Sequence, residues 1–357
     1  MRLYFFGFSG WKRKQTKNFF LPLDGKRFFF CKDLQHALAK GMDENAQLYI
    51  WGKKPFPEVE TYAEENKLRL FRVEDGFIRS VTLGSDLTKA YSLVVDSRGI
   101  YFDPTQESDL EHMLNTYVFD GKLLERAKSI QGYLVEKKLS KYNVYSDTAI
   151  HIDTDKTVVL VPGQVEDDAS IVYGGDKMRN IELLQQAREK KPDAYIVYKP
   201  HPDVLAGNRK GNIERQEALK YADCVMEEVS LPSLLELCDE VHTITSLSGF
   251  EALLRGKKVY TYGLPFYAGW GLTVDEKVCE RRKRVLALEQ LVAATYILYP
   301  RYIHPVTGKP CEVEVVIAEL EKLKQRYNSD KIYRVAVDTR NWISRKVQLL
   351  IKIARGE

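Results

Sequence analysis

The sequence predicts an α/β fold of two doubly wound, Rossmann-like lobes facing a central cleft, and three observations support this. Short apolar runs alternate with helical segments twice along the chain, and strands that alternate with helices form parallel sheets with right-handed crossovers. A helical stretch over 107–139 separates the two series. The length, 357 residues, is too great for one simple core and comfortable for two lobes.

The first series reads "RLYFFGF", "KRFFFC", "QLYIWG" and "LRLFRVE", all rich in the aromatic and branched residues that favour strands. Between the second and third, "DLQHALAKGM" has helical spacing and a stop at Gly41. In the connector, Leu110, Met113, Leu114, Leu123, Leu124, Ala127 and Ile130 are the expected core positions. The second series starts at Thr157. It runs "TVVLVP" strand, "NIELLQQAREKKP" helix, "AYIVYK" strand, "SLLELC" helix, "EVHTITS" strand, "GFEALLRG" helix and "KVYTYG" strand. No internal repeat or low-complexity segment interrupts either series.

Composition narrows the class. Hydrophobic residues make up 44% and charged residues 29%, the profile of a globular chain. No apolar run approaches the roughly 20 residues of a spanning helix. The opening "MRLYFFGFSGWKRK" sets basic residues after apolar ones, the reverse of a secretory signal, so the cytoplasm is the expected compartment. Five scattered cysteines without C-x-x-C, and histidines without H-E-x-x-H, support neither a disulfide framework nor a metal site. Walker and G-x-G-x-x-G patterns are missing too, so kinase and dehydrogenase readings lose their usual support.

Net charge is +4 but unevenly placed. From Lys331 onward Lys331, Arg334, Arg340, Arg345, Lys346, Lys352 and Arg355 face two acids, Asp338 and Glu357. Trp342, Ile343, Val347, Leu350, Ile351 and Ala354 recur near helical spacing. Such a helix either lies on an anionic membrane surface or packs back on the body with a solvated basic face.

Ligands of parallel sheets bind beyond the carboxyl ends of the strands. In the second series these ends carry Gln164, Glu166, Asp167, Asp168 and Ser170, then Lys199, His201 and Asp203, then Thr245, Ser246 and Ser248. Three carboxylates in a row suit a solvated loop, but three strands delivering acids, a Lys-His pair and hydroxyls to one edge suit a site. Pro200 and Pro202 fix the backbone around His201, which can hold a leaving phosphate or donate it a proton. Ser248-Gly249-Phe250-Glu251 forms an S-x-x-E capping box, and a helix start with Gly249 beside it also accepts phosphate. Ser233 to Glu236 makes a second box of purely structural character. In "RVEDGFIRS", Glu74, Asp75 and Arg79 end a strand, as a proton-accepting site or as an exposed turn around Asp75-Gly76. The run "YGLPFYAGWG" offers Tyr267 and Trp270 to a base or sugar, or simply covers the core.

Together "VEDGFIRSVTLGSDL", "SLVVDSRGIYFDPTQESDLE", "LVPGQVEDDASI", "YKPHPDV", "SLSGFEALLRGKKVYTYGLPFYAGWGLTVD" and "YPRYIHPVTG" resemble the capsule-polysaccharide β-Kdo transferases, over about residues 51–308, with a weaker echo at "GFSGWKR". The resemblance is to a single module, closer to the second, C-terminal module type. It implies a GT-B arrangement with an N-terminal acceptor-side lobe and helical connector over 1–150 and a CMP-sugar-binding lobe over 151–325, after which composition sets the basic amphipathic tail over 326–357. It further implies a retaining transfer of β-Kdo from CMP-Kdo to a sugar hydroxyl of a bacterial surface glycan, without a metal or cofactor. By that resemblance Asp168 is the nucleophile, His201 with Pro202 stands at the leaving phosphate, and Ser246 and Ser248 hold the phosphate with Gly249 and Glu251 of the same motif. Gln164 lines the donor, Lys199 meets the Kdo carboxylate, and Glu74 or Asp75 activates the acceptor. Implied partners are CMP-Kdo and a glycan or glycolipid acceptor, with no nucleic acid, and the basic tail adds peripheral association with the inner-membrane surface as an expectation. The alternatives are a transferase of another CMP-activated nonulosonic acid, sialyltransferase-like, and a non-catalytic glycan- or lipid-binding module.

Overall fold

The computed structural model describes the chain except residues 23–24, 81–88, 142–149, 208 and 356–357, and for 343–345 and 347–355 the backbone alone. Twelve strands among the described residues run in chain order as β1 (Arg2–Phe6), β2 (Arg27–Cys31), β3 (Gln47–Trp51), β4 (Arg69–Asp75), β5 (Ser92–Asp96), β6 (Val158–Pro162), β7 (Tyr195–Lys199), β8 (Cys224–Val225), β9 (Glu240–Thr243), β10 (Lys258–Thr261), β11 (Val274–Asp275) and β12 (Pro300–Tyr302). They form two six-stranded sheets, ordered β12-β5-β4-β3-β1-β2 and β11-β10-β9-β6-β7-β8.

The second sheet is parallel throughout, as its alternating strands and helices predict. In the first, β2, β1, β3 and β4 are parallel, but β5 runs antiparallel to β4 and β12 antiparallel to β5. An antiparallel neighbour needs no crossover helix, so alternation does not announce it. Helices Gly10–Thr16 and Pro57–Glu65 also belong to the first series. The helix Leu34–Ala39 ends as expected, with Gly41 at φ 76°.

The chain divides into two compact units, Met1–Ser97, Lys141–Val144 and Tyr296–Glu357 in one, Arg98–Ser140 and Tyr145–Thr295 in the other. This departs from lobes over 1–150 and 151–325. Helix Gly121–Glu136 packs with helix Leu288–Val292 of the second unit, and β12 brings the chain back to the first sheet. Both events join residues far apart in sequence, which local periodicity does not record.

Each sheet is buried by side chains that alternate between its faces. In the first unit Tyr4, Phe6, Leu48 and Ile50 pack on one side, and Leu3, Phe5, Tyr49, Trp51 and Val73 on the other. Rings of Phe28, Phe5, Tyr49 and Phe71 stack in a row across four strands, at centroid spacings of 5.7, 4.9 and 4.9 Å. In the second unit Val159, Val161, Ile196, Tyr198, Leu183, Leu184 and Ile244 form the core.

One histidine is part of that packing. His242 on β9 is fully buried, bonds Tyr262 Oη through Nδ1 at 2.8 Å and stacks on Tyr260 at 4.3 Å. Burial pushes its pKa down to about 4, against the raising effect of Glu240 and with help from Lys191 and Lys190. The unfolded chain then binds more protons than the folded one below about pH 6.5, so stability is full above that pH and falls as pH drops toward 4. The loss should reach about 3 kcal/mol. Urea unfolding at pH 7, 5 and 4 should show this slope reduced in His242→Gln. Equal slopes in both proteins would remove His242 as its source.

Candidate active site

β6 lies at the centre of the second sheet with β9 and β7 on either side, so the carboxyl ends of three adjacent strands adjoin. The three carboxylates after β6 have separate tasks. Glu166 Oε1 accepts from the Asn180 amide at 2.8 Å, tying down the helix Asn180–Lys190. Asp167 is exposed and pairs with Arg209 at 3.0 Å. Asp168 is half-buried and caps helix Ala169–Gly174 with extended backbone, its Oδ1 accepting from Ser170 N at 3.0 Å and Ser170 Oγ at 2.8 Å. Both bonds fall on Oδ1. The solvated-loop reading therefore fits Asp167 alone.

β7 delivers Lys199 and His201. Pro202 starts the short helix Pro202–Leu205, the position its fixed φ and missing N–H suit, and His201 caps it. The Asp203 amide donates to His201 Nδ1 at 3.1 Å. Nδ1 is therefore an acceptor, and in the neutral ring the proton sits on Nε2, where it can be donated. Burial holds the His201 pKa below its usual value, while the charges of Asp203 and Asp168 oppose that shift. Lys199 is 5% exposed and donates to the Glu227 carbonyl at 3.2 Å. Burial lowers its pKa to about 8, with Glu227 opposing.

β9 delivers the serines, in a different register from the one the sequence suggests. Ser246, not Ser248, is the cap of helix Leu247–Leu253, its Oγ accepting from Ser248 N at 3.1 Å and donating to Ser248 Oγ at 3.0 Å. Glu251 is buried inside the helix and does not complete a box at this cap. The other supposed box shifts likewise, since Ser230 caps helix Leu231–Leu237 and accepts from Ser233 N. A cap needs extended backbone ahead of the helix, and S-x-x-E alone does not show where the strand ends.

Two further expectations change. Gln164 is buried, with Oε1 accepting from Thr245 N at 2.9 Å and Nε2 donating to Thr245 Oγ1 at 3.1 Å. It splices the end of β6 to the end of β9, so its side chain is engaged with protein rather than offered to a ligand. Gly249 makes room for protein too. A Cβ there would stand 2.3 Å from Tyr267 Oη and 2.8 Å from its Cζ. Tyr267 donates to the Ser246 carbonyl, and both Tyr267 and Trp270 are fully buried, so they cover the core. Their loop is braced by Arg282, which donates to the carbonyls of Pro265 (2.6 Å) and Ala268 (2.7 Å). The buried Glu111 holds Arg281 and Arg282 at 2.7 and 3.1 Å. Sequence reading missed this brace because Glu111 and the arginines belong to segments without a shared motif.

The first unit carries its own polar cluster where β4 ends. Asp75 Oδ2 takes Arg79 Nε at 2.9 Å and stands 3.7 Å from Lys12 Nζ. Lys12 also sits 3.1 Å from the Trp51 ring centroid, a cation–π contact. Glu74 Oε1 accepts from the Asp75 amide at 2.9 Å. The segment is no exposed turn. Arg79 and Gly76 are buried, and a Cβ on Gly76 would meet Ser92 Oγ at 2.4 Å. Burial pushes Glu74 up against the pull of Lys12. Burial also acts upward on Asp75, but Lys12 and Arg79 outweigh it and hold that carboxyl below its usual range. Lys12 itself is lowered, chiefly by burial. It was missed except as part of "GFSGWKR", because Trp51 and Asp75 reach it only in three dimensions.

A sequence model of the family described as capsule polysaccharide biosynthesis protein matches residues 47–302. The capsule polysaccharide modification protein LipA of Neisseria meningitidis serogroup A is 47% identical, over 93% of this chain and 47% of its own length. The lipopolysaccharide-processing protein LpsZ of Rhizobium meliloti is 42% identical over 76% of this chain and 63% of its own. The chain thus spans about half the length of LipA. Among solved structures, the β-Kdo 2,4 transferase of Thermosulfurimonas dismutans KpsC superposes with TM-score 0.76 at 35% identity, covering 89% of this chain and 97% of that one. The β-Kdo 2,7 transferase of the same KpsC gives 0.73 at 36%, covering 91% and 100%.

Proposed function

The chain belongs to the capsule polysaccharide biosynthesis protein family, and on that premise we propose that it is a retaining glycosyltransferase that moves β-Kdo from CMP-Kdo to a sugar hydroxyl of a surface glycan. The observation that carries the reading is the set of Asp168, His201 and Ser246 at the ends of three neighbouring parallel strands. The likeness to two Kdo transferases over nine-tenths of the chain supports it. The reading takes the two units as GT-B lobes, the first for the acceptor and the second for the CMP-sugar, working at the cytoplasmic face of the inner membrane without a metal.

In the first displacement the Asp168 carboxylate forms a bond to the anomeric carbon of Kdo, and the bond from that carbon to the phosphate oxygen breaks, CMP leaving with the electron pair. His201 Nε2–H hydrogen-bonds the departing phosphate, and the hydroxyls of Ser246 and Ser248 hold it. Lys199 meets the Kdo carboxylate. In the second displacement an acceptor hydroxyl attacks the same carbon from the opposite face, Asp168 departs as carboxylate, and configuration is retained. Of the two candidate bases Glu74 fits better. A base works best with a pKa near the operating pH, burial moves Glu74 in that direction, and Lys12 and Arg79 hold Asp75 ionised. One module makes one linkage, so this chain adds a single type of Kdo bond.

The test is CMP release and glycan extension with CMP-Kdo and, separately, CMP-sialic acid. CMP-Kdo should be preferred by at least about tenfold in kcat/KM. Preference for CMP-sialic acid would reassign the donor, and no turnover with either would turn the protein into a binding module.

A further inference from the structure

Helix Lys331–Arg355 is the longest among the described residues, and the buried side chains among its described ones lie on one side. Val337 and Asn341 are buried, 9% and 6% exposed, and Asp338 accepts from Tyr327 Oη of the preceding helix Val313–Ser329 at 2.6 Å. Away from that contact the helix is apolar where water should be. Ile332 is 84% exposed, Val335 56% and Trp342 61%. With about 100° of rotation per residue, Ile332, Val335, Trp342 and Lys346 fall in one stripe roughly 80° wide, on the side opposite Val337 and Asn341. Lys346 Nζ lies 5.9 Å from the Trp342 ring centroid, so the stripe carries a cation beside its indole. Lys331, Arg334 and Arg340 are exposed around it, with Asp338 as the sole acid among the described side chains of this helix.

We propose that this stripe is a docking surface for an anionic lipid bilayer, with Ile332, Val335 and Trp342 entering the headgroup region and Lys331, Arg334, Arg340 and Lys346 meeting lipid phosphates. The pattern matches that partner and not a spanning segment. No described helix is long and apolar enough to cross a membrane, whereas a helix with a narrow apolar strip and basic flanks lies in the interface plane. A tryptophan in the strip suits the boundary between headgroup and acyl chain. The excess of cations fits a negatively charged surface and opposes face-to-face pairing with a second copy of the same helix. The inference deepens the membrane-face part of the proposed function and is tested separately from glycosyl transfer, since binding to lipid needs neither donor nor acceptor.

The experiment is co-sedimentation of the full chain with vesicles of phosphatidylglycerol and phosphatidylethanolamine, beside vesicles of phosphatidylcholine alone, at low and high salt. The protein should bind the anionic vesicles, weaken with salt because exposed charges are screened, and leave phosphatidylcholine largely unbound. The double variant Ile332→Glu/Trp342→Glu should lose at least about tenfold in partitioning. The charge variant Lys331→Glu/Lys346→Glu should lose binding to anionic vesicles specifically. Far-UV circular dichroism and CMP release checked on the same samples keep folding and catalysis separate from docking. No binding by the wild type, or equal binding by the first variant, overturns the proposal. Sedimentation velocity that shows wild-type self-association, lost in Ile332→Glu/Trp342→Glu, would overturn it in favour of a second copy of the chain.

Discussion

Replacing Asp168 by asparagine is expected to lower transfer by on the order of 10³-fold or more while leaving the fold close to intact. Two substitutions at this position, to asparagine and to alanine, separate its capping task from its proposed catalytic one. As a cap, Asp168 accepts from the Ser170 amide through Oδ1, and an asparagine oxygen in the same place does so as well, since Asn and Asp are near equals at caps. Alanine removes the cap too and should cost about 1 kcal/mol of stability besides the activity. In the proposed role of nucleophile only the carboxylate serves, so both variants should be inactive. Intact-protein mass spectrometry after exposure to CMP-Kdo should find one added Kdo on the wild type and none on either variant. Asp167→Asn is the control, because Asp167 is exposed and touches Arg209. It should turn over within about twofold of wild type, surface changes being mild. Near-normal turnover by Asp168→Asn, with no adduct on the wild type, would end the double-displacement mechanism and leave Asp168 as a helix cap.

How far the sequence announces this site depends on the range of the interactions involved. The strands of the second unit were legible because "TVVLVP", "AYIVYK" and "EVHTITS" are short, branched and apolar, and they form β6, β7 and β9 within a residue or three of their expected ends. From that alone Asp168, His201 and Ser246 could be set on one edge. The cap register was not legible. Two S-x-x-E patterns pointed to Ser248 and Ser233, whereas Ser246 and Ser230 hold the cap positions with extended backbone at ψ 142°. That choice is made by where the preceding segment stops, which a four-residue pattern does not contain.

Interactions across the chain were less visible still. Gln164 looked like a donor ligand because it follows a strand, but its partner Thr245 comes from another strand end and absorbs its amide. Lys12 looked like one base in a basic run. Its burial on Trp51 beside Asp75 arises only when β1, β3 and β4 are laid side by side. The motifs that carried the family resemblance ran ahead of the physics here. They named segments, and within each the structure separates side chains tied to protein, such as Gln164, from those left at the strand edge.

Gly249→Ala should be the most damaging small substitution at this edge, in stability and turnover together. The added methyl would lie 2.3 Å from Tyr267 Oη, 2.8 Å from Tyr267 Cζ and 3.0 Å from Thr243 Cγ2, all below normal contact. None of these neighbours yields cheaply. Tyr267 is fully buried, its ring edge-on to Phe266 at 5.2 Å and within 6.3 Å of Phe250, and its hydroxyl holds the Ser246 carbonyl. Relieving the clash by moving Tyr267 breaks that bond, and relieving it by moving the helix shifts Ser246 and Ser248 away from His201's edge. Overpacking of this kind costs about 1–3 kcal/mol, and loss of the hydrogen bond adds about 1 kcal/mol. Denaturant unfolding should therefore report a loss of about 3 kcal/mol, with CMP release down at least tenfold in the fraction that stays folded. Tyr267→Phe keeps the ring and loses only the bond, so it should cost about 1 kcal/mol. In the double variant Gly249→Ala/Tyr267→Phe the worst contact is gone, and the combined loss should fall clearly below the sum of the two, as coupled neighbours do. Additive losses, or a Gly249→Ala protein as stable and active as wild type, would mean that the helix start does not depend on Tyr267 and that Gly249 serves some other purpose at this edge.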